Sequence, residues 1–117
     1  MIKLKHIVHD VVVSEIDMHE GKFTIGRGSG NTIQLEDASV SGKHAVITAR
    51  PNEYLPELLD MTIQDLDSTN GTMVNNKPVS QKAIRHGDTI KIGSHQFRVF
   101  DEKVNDNTQT EYYVPED

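Results

Sequence analysis

Apolar residues fall in short, mostly alternating runs separated by turn-forming residues, the pattern of strands half-buried against a core. Lys3–Val8 is apolar with polar interruptions, and Val11–Met18 places Val11, Val13, Ile16 and Met18 with one slip of phase. Lys22–Ile25 is short and stops at Gly26, whereas Thr32–Leu35 alternates cleanly. Ala45–Thr48 carries Val46 and Ile47, and Thr62–Leu66 carries Ile63 and Leu66. Thr72–Val74 runs into Asn75-Asn76, a pair suited to a tight hairpin turn. Asp88–Ile92 sets Ile90 and Ile92 on one face, and Gly93-Ser94 turns the chain into His95–Phe100, where Phe97 and Val99 are in phase. Turn signals about every 8–12 residues predict an all-β sandwich or barrel.

No stretch keeps a helical period. The best helical candidate, Tyr54–Leu59, is short and lies within Arg50–Asp60, a segment expected to be a long loop with Pro51 and Pro56. Tyr54, Leu55, Leu58 and Leu59 are unusually apolar for a loop. The expectation is that they fold back onto the core, the alternative being a contact surface.

The chain has 117 residues, enough for one domain with a modest core. Its net charge of -6 is unevenly placed. Residues 1–100 hold 12 acids and 11 bases, a net of -1, and residues 101–117 hold 6 acids and one base, a net of -5. The sequence therefore divides into a nearly neutral domain, 1–101, and an acidic tail, 102–117, that is expected to be disordered. Such a domain lacks the basic face of a nucleic-acid binder, so any anion site must be local. No purely apolar run exceeds three residues, as in Val11-Val12-Val13, far short of the roughly 20 residues that cross a bilayer. The first residues have no secretory apolar region, and there is no cysteine. Disulfides and thiolate chemistry are excluded, and a cytoplasmic protein without membrane contact is expected.

Three groups of residues between the strands carry candidate chemistry. In Thr24-Ile25-Gly26-Arg27-Gly28-Ser29-Gly30-Asn31, glycines permit close backbone approach and arginine offers a planar fork of donors to phosphate oxygens. A dinucleotide fingerprint is excluded, since the glycine spacing is wrong and no helix follows. In Ala38-Ser39-Val40-Ser41-Gly42-Lys43-His44-Ala45, Ser41 and His44 could be read as nucleophile and base, but no orienting carboxylate or oxyanion hole is evident. The better reading makes Ser41 a hydroxyl donor and Lys43 a cation at the rim, with His44 bracing the loop. In Asp65-Leu66-Asp67-Ser68-Thr69-Asn70-Gly71-Thr72, small polar side chains ahead of Asn-Gly mark a tight turn. There the Asn70 amide could serve a peptide backbone, having both donors and acceptors. Each group alone reads equally well as an ordinary loop.

Taken in order, Gly26-Arg27, Ser41-x-x-His44 and Asn70-Gly71 on a chain of short strands resemble the forkhead-associated (FHA) domain family. The resemblance runs through Asn31–Leu35, Asp65–Thr72, Val74-Asn75 and Gly87–Gly93, covers roughly Ile2 to Phe100, and is nearest the bacterial members around Val40–Ala45. It implies a two-sheet β-sandwich of about eleven short strands with ligand-binding loops at one end, and a phosphothreonine-dependent interaction module in Ser/Thr-kinase signalling, not an enzyme. By resemblance, Arg27 pairs with phosphate, Ser41 donates its hydroxyl to it, and Thr69 lines the pocket. Asn70 holds the peptide main chain, and Lys43 adds charge. Gly26, His44 and Gly71 are architectural. The implied partners are a phosphothreonine-containing protein or peptide and a Ser/Thr kinase; no cofactor or metal is called for. A phosphothreonine carries about -1.5 to -2 charge and three acceptor oxygens, which one arginine and several neutral donors can match. Preference over phosphoserine would rest on one methyl, worth roughly 0.8 kcal/mol.

Two positions depart from the pattern. Some members use an asparagine directly after the binding serine, where this chain has Gly42. Others use an arginine two residues before that serine to read the third residue beyond the phosphothreonine, where this chain has Ser39. A competing expectation is a phosphate-independent scaffold that binds through the 54–59 loop. Thr108 or Thr110, if phosphorylated, could also reach the domain's own site. His6-x-x-His9 is too sparse for a metal site, and these histidines are expected to be solvated.

Overall fold

The computed structural model describes residues 1–104. The expectations for Thr108, Thr110 and most of the acidic tail lie outside the described residues.

Eleven strands and no helix form the described chain: β1 (Ile2–Val8), β2 (Val11–Met18), β3 (Gly21–Gly26), β4 (Ile33–Gln34), β5 (Ala45–Pro51), β6 (Leu59–Asp65), β7 (Thr72–Val74), β8 (Lys77–Val79), β9 (Gln81–Ile84), β10 (Thr89–Ile92) and β11 (His95–Asp101). They make a sheet of order β2-β1-β11-β10-β7-β8 and a second of order β4-β3-β5-β6-β9. All the registered pairs are antiparallel except β3 with the two-residue β4.

Alternation drives the packing. Phe23 and Ile25 of β3, Ala45, Ile47 and Ala49 of β5, and Met61 and Ile63 of β6 bury one face of the smaller sheet. Ile90 and Ile92 of β10, Phe97 and Val99 of β11, and Leu4 of β1 supply the facing layer. Burying each of the larger side chains among these contributes about 1.5–3 kcal/mol, so the sandwich holds its end loops against a rigid frame.

The slip of phase in β2 is a bulge. His6 pairs with Ser14 and Ile7 with Val12, which leaves Val13 without an opposite residue. Val11, Val12 and Val13 are 59%, 51% and 55% exposed on this edge strand. The bulge bends the edge away from regular pairing. The Asn75-Asn76 hairpin forms as expected, with φ of 52° and 68° and Val74 opposite Lys77.

Several expectations are corrected. Tyr54–Leu59 is not helical, and the loop is shorter than Arg50–Asp60, because Arg50 and Pro51 end β5 while Leu59 and Asp60 begin β6. Only Leu59 of the four apolar loop residues packs against the core, whereas Tyr54, Leu55 and Leu58 are exposed. β6 starts three residues before Thr62 and ends before Leu66. β8 and β9 had no alternating signal. Lys77-Pro78-Val79 is an edge strand, where proline costs no ladder bond, and Gln81-Lys82-Ala83-Ile84 buries one residue. His6 is not solvated. It is half-buried, stacks on Phe97 with centroids 4.7 Å apart, and its Nε2 lies 2.8 Å from Nδ1 of His95. Burial, followed by the neighbouring His95, holds its pKa below the ordinary histidine value. His9 sits apart in the β1–β2 turn with φ of 51°.

Candidate functional site

The loops after β3, before β5 and after β6 meet at one end of the sandwich. β3 delivers Gly26 and Arg27 there, and the backbone joins them to the second loop directly. The Arg27 N–H donates to the Ser41 carbonyl at 2.9 Å and the Gly28 N–H to the Gly42 carbonyl at 3.1 Å. Gly26 is required by this approach: a Cβ there would overlap the Gly42 carbonyl oxygen and come 2.8 Å from Nδ2 of Asn31. Asn31 closes the same junction, its Nδ2 donating to Gly28 O at 2.8 Å and to Gly42 O at 2.7 Å. Arg27 itself remains exposed.

His44 ties the second loop to the third. It is fully buried at the start of β5. Its Nδ1 accepts the Ser41 N–H at 3.0 Å, and its Nε2 donates to the Gly71 carbonyl at 2.8 Å. Both ring nitrogens are thus committed to backbone groups, so His44 cannot take a proton from the Ser41 hydroxyl, and the serine–histidine pair is not a catalytic dyad. Gly71 presents that carbonyl from a backbone with φ of +85°, a conformation that glycine adopts without strain.

Ser41 Oγ accepts the Thr69 N–H at 3.0 Å. A hydroxyl has one proton and two lone pairs, so this bond occupies an acceptor position and leaves the proton to donate outward. Asn70 braces the opposite side, its Nδ2 donating to the Ser39 carbonyl at 2.8 Å. That bond uses one of the two amide N–H groups of Asn70 and leaves its amide oxygen unengaged by it. Thr69, Asn70 and Lys43 are exposed beside Arg27's loop, and Ser41 is partly exposed.

Beneath the third loop, Asp65 organises the turn. Ser68 Oγ donates to its Oδ1 at 2.5 Å, Thr72 Oγ1 donates to the same oxygen at 2.8 Å, and the Ser68 N–H donates to Oδ2 at 3.1 Å. Ser68 Oγ then accepts the Gly71 N–H at 2.9 Å. Burial alone would raise the Asp65 pKa, but the hydrogen bonds from Ser68 and Thr72 more than offset it and hold the group below its ordinary value. Asp37 does similar work under the second loop. It accepts the Ser39 hydroxyl at 2.7 Å and the Ser39 N–H at 2.9 Å, and it reaches across to the Ser94 hydroxyl at 2.7 Å. Those bonds, Ser39's first, hold its carboxyl well below the usual carboxylate range.

All the residues singled out from the sequence at this end, Gly26, Arg27, Ser41, Lys43, His44, Thr69, Asn70 and Gly71, therefore lie at the end of β3 or on loops that these hydrogen bonds join. The supporting residues Asn31, Asp37, Asp65 and Ser68 were not singled out for a role. Their signal was the density of Asn, Asp and Ser beside glycines, which marks turns without saying which carbonyl each side chain will hold.

The FHA domain family model matches residues 23–93. FhaA of Mycobacterium tuberculosis, an FHA domain-containing protein, is 37% identical over 82 residues, 70% of this chain and 14% of that protein. The chain thus spans about a seventh of that relative's length. The crystal structure of the FhaA FHA domain complexed with the intracellular domain of Rv3910 superposes with a TM-score of 0.71 at 31% identity, over 85% of this chain and 99% of that one. A domain solved for a structural and functional analysis of phosphothreonine-dependent FHA domain interactions gives 0.72 at 29% identity, over 87% and 99%. Sandwich, loop junctions and sequence agree that this chain belongs to the FHA domain family, whose members are interaction domains and not enzymes.

Proposed function

We propose that the chain docks phosphothreonine-bearing segments of other proteins in the cytoplasm, as an interaction module in Ser/Thr-kinase signalling, with residues 1–101 as the working domain. Arg27 supplies the charge that meets the phosphate, and Ser41 donates its hydroxyl proton to a phosphate oxygen. Thr69 lines the pocket. Asn70 takes the peptide main chain with its remaining N–H and amide oxygen, and Lys43 adds charge at the rim. Gly26, His44 and Gly71 hold the loops in place.

The observation that carries this reading is the Thr69 N–H bond to Ser41 Oγ, which takes an acceptor position of the hydroxyl and leaves its proton to donate, on a loop whose backbone is bonded to that of the exposed Arg27. The likeness to a domain solved for an analysis of phosphothreonine-dependent FHA domain interactions supports the same ligand. With Gly42 and Ser39 where some relatives have longer side chains, fewer contacts reach the flanking residues, so selectivity rests more on the phosphothreonine.

An amide-resolved titration tests the assignment. A degenerate phosphothreonine peptide pool should shift Arg27, Ser41, Thr69 and Asn70 first. Shifts confined to other surfaces would reject it.

A further inference from the structure

The end of the sandwich away from Arg27 and Ser41 has a built apolar surface of its own. The loop between β5 and β6 is held by Asn52, whose Oδ1 accepts the N–H groups of Tyr54 at 2.8 Å and Leu55 at 2.9 Å. Asn52 Nδ2 also donates to the Asp60 carboxylate, at 3.0 Å to Oδ2. The Asn52 N–H donates to Leu58 O at 2.8 Å, and the Leu58 N–H to Leu55 O at 2.9 Å. The backbone is thus fixed, yet the apolar side chains it carries point away from the core: Tyr54 is 83%, Leu55 50% and Leu58 38% exposed. A loop ordered by its own hydrogen bonds gains nothing for its stability from exposing these groups.

Beside this loop lies a cavity of about 410 Å³, its apolar wall made by Ile2, Met18, Leu58 and Leu59. These residues stand at the start of β1, the end of β2 and the start of β6, whereas the phosphate-facing loops follow the ends of β3 and β6. Its charged lining is Glu20, Glu57, Asp60 and Asp101 against Lys103, His19 and the Met1 ammonium, the last paired with Glu102 at 3.5 Å. An apolar floor with four carboxylates around it selects by sign as well as by shape.

We propose that this end is a second docking surface, and that its occupant is a polypeptide segment with an apolar anchor residue flanked by lysines or arginines. The anchor fills the cavity beside Leu58, and the basic flanks meet Glu57, Asp60 and Asp101. Charge decides between occupants. An anionic lipid surface would be repelled by the carboxylates. A second copy joined about a two-fold axis would set like charges against each other. Because the surface shares no residue with the phosphate-facing loops, the module can hold a phosphorylated partner and a basic segment together.

The test is an amide-resolved titration of the full chain with a synthetic peptide pool in which leucine or phenylalanine is flanked by lysine and arginine. A matched pool with glutamate flanks and phosphatidylserine vesicles serve as comparisons. The basic pool should shift the amides of Leu55, Leu58, Leu59 and Asp101, and bind at least tenfold more tightly than the glutamate pool. Its binding should be unchanged by Arg27→Ala, lost in Leu55→Ser/Leu58→Ser, and weakened severalfold in Glu57→Lys, which leaves the apolar floor intact. Absence of shifts, equal binding of both pools, shifts centred on Ser41, or vesicle binding in place of peptide binding would overturn the proposal.

Discussion

The backbone N–H of Thr69 donates to Oγ of Ser41 at 3.0 Å, joining two loops 28 residues apart in the chain. The bond takes one acceptor position of the hydroxyl and leaves its proton to donate, which is the property the proposed phosphate contact needs.

Ser41→Ala removes that donor and strands the Thr69 N–H. A hydrogen bond to a charged group contributes about 1.5–3 kcal/mol, so phosphopeptide affinity should fall roughly 10- to 100-fold. Stability should fall by only about 1 kcal/mol, since the freed N–H lies at an exposed residue. Calorimetric titration and urea unfolding measure the two effects separately. Loss of stability with unchanged affinity would make Ser41 purely structural.

Gly26→Ala places a Cβ against the Gly42 carbonyl, a backbone atom that cannot rotate aside. Overpacking of this kind costs about 1–3 kcal/mol. Gly30→Ala meets nothing within 4 Å and should be nearly neutral. Denaturant midpoints of the two variants should separate clearly; equal midpoints would mean the loop junction is loose.

His44→Phe keeps a flat aromatic ring, somewhat larger than imidazole, but abandons the Ser41 N–H and the Gly71 carbonyl, both served by the imidazole in the native chain. Leaving two backbone groups unsatisfied should cost roughly 2–5 kcal/mol. Amide exchange at Ser41 should accelerate together with that at Thr69, because one ring holds both loops. Protection retained at Thr69 would contradict the coupling.

The strands were legible because their apolar positions alternate: β10 and β11 follow from Ile90, Ile92, Phe97 and Val99 alone. The order of glycine-arginine, serine-histidine and asparagine-glycine also made the candidate site legible, since each residue type there has a backbone-bonding or anion-bonding use. What stayed hidden depended on tertiary context. Gln81–Ile84 buries only Ile84, so nothing in its pattern marks a strand until β6 pairs with it. Leu55 and Leu58 read as core because hydrophobicity is local information, whereas the Asn52 bonds that turn them outward are set by the folded loop. Asp65 could not be distinguished from Asp67 before Ser68 and Thr72 converged on it.

Asp65 also sets an acid sensitivity. Its folded pKa lies below the unfolded value of 3.8, so its stabilisation is full above that pH and is lost as pH falls through the folded value. Asp37 acts in the same direction. Urea midpoints of the wild type should therefore drop between about pH 5 and pH 2. Asp65→Asn, already uncharged, should be less stable at neutral pH and lose less on acidification. Parallel acid limbs for the two proteins would show that the Ser68 and Thr72 bonds contribute nothing in solution.

The most direct test of the central claim is calorimetric titration of the wild type and Arg27→Ala with matched degenerate peptides carrying phosphothreonine, phosphoserine or unmodified threonine. Phosphothreonine should bind the wild type most tightly, phosphoserine less so, and unmodified threonine undetectably, with Arg27→Ala abolishing measurable binding. Equal binding of phosphorylated and unmodified peptides, or binding that survives Arg27→Ala unchanged, would contradict it.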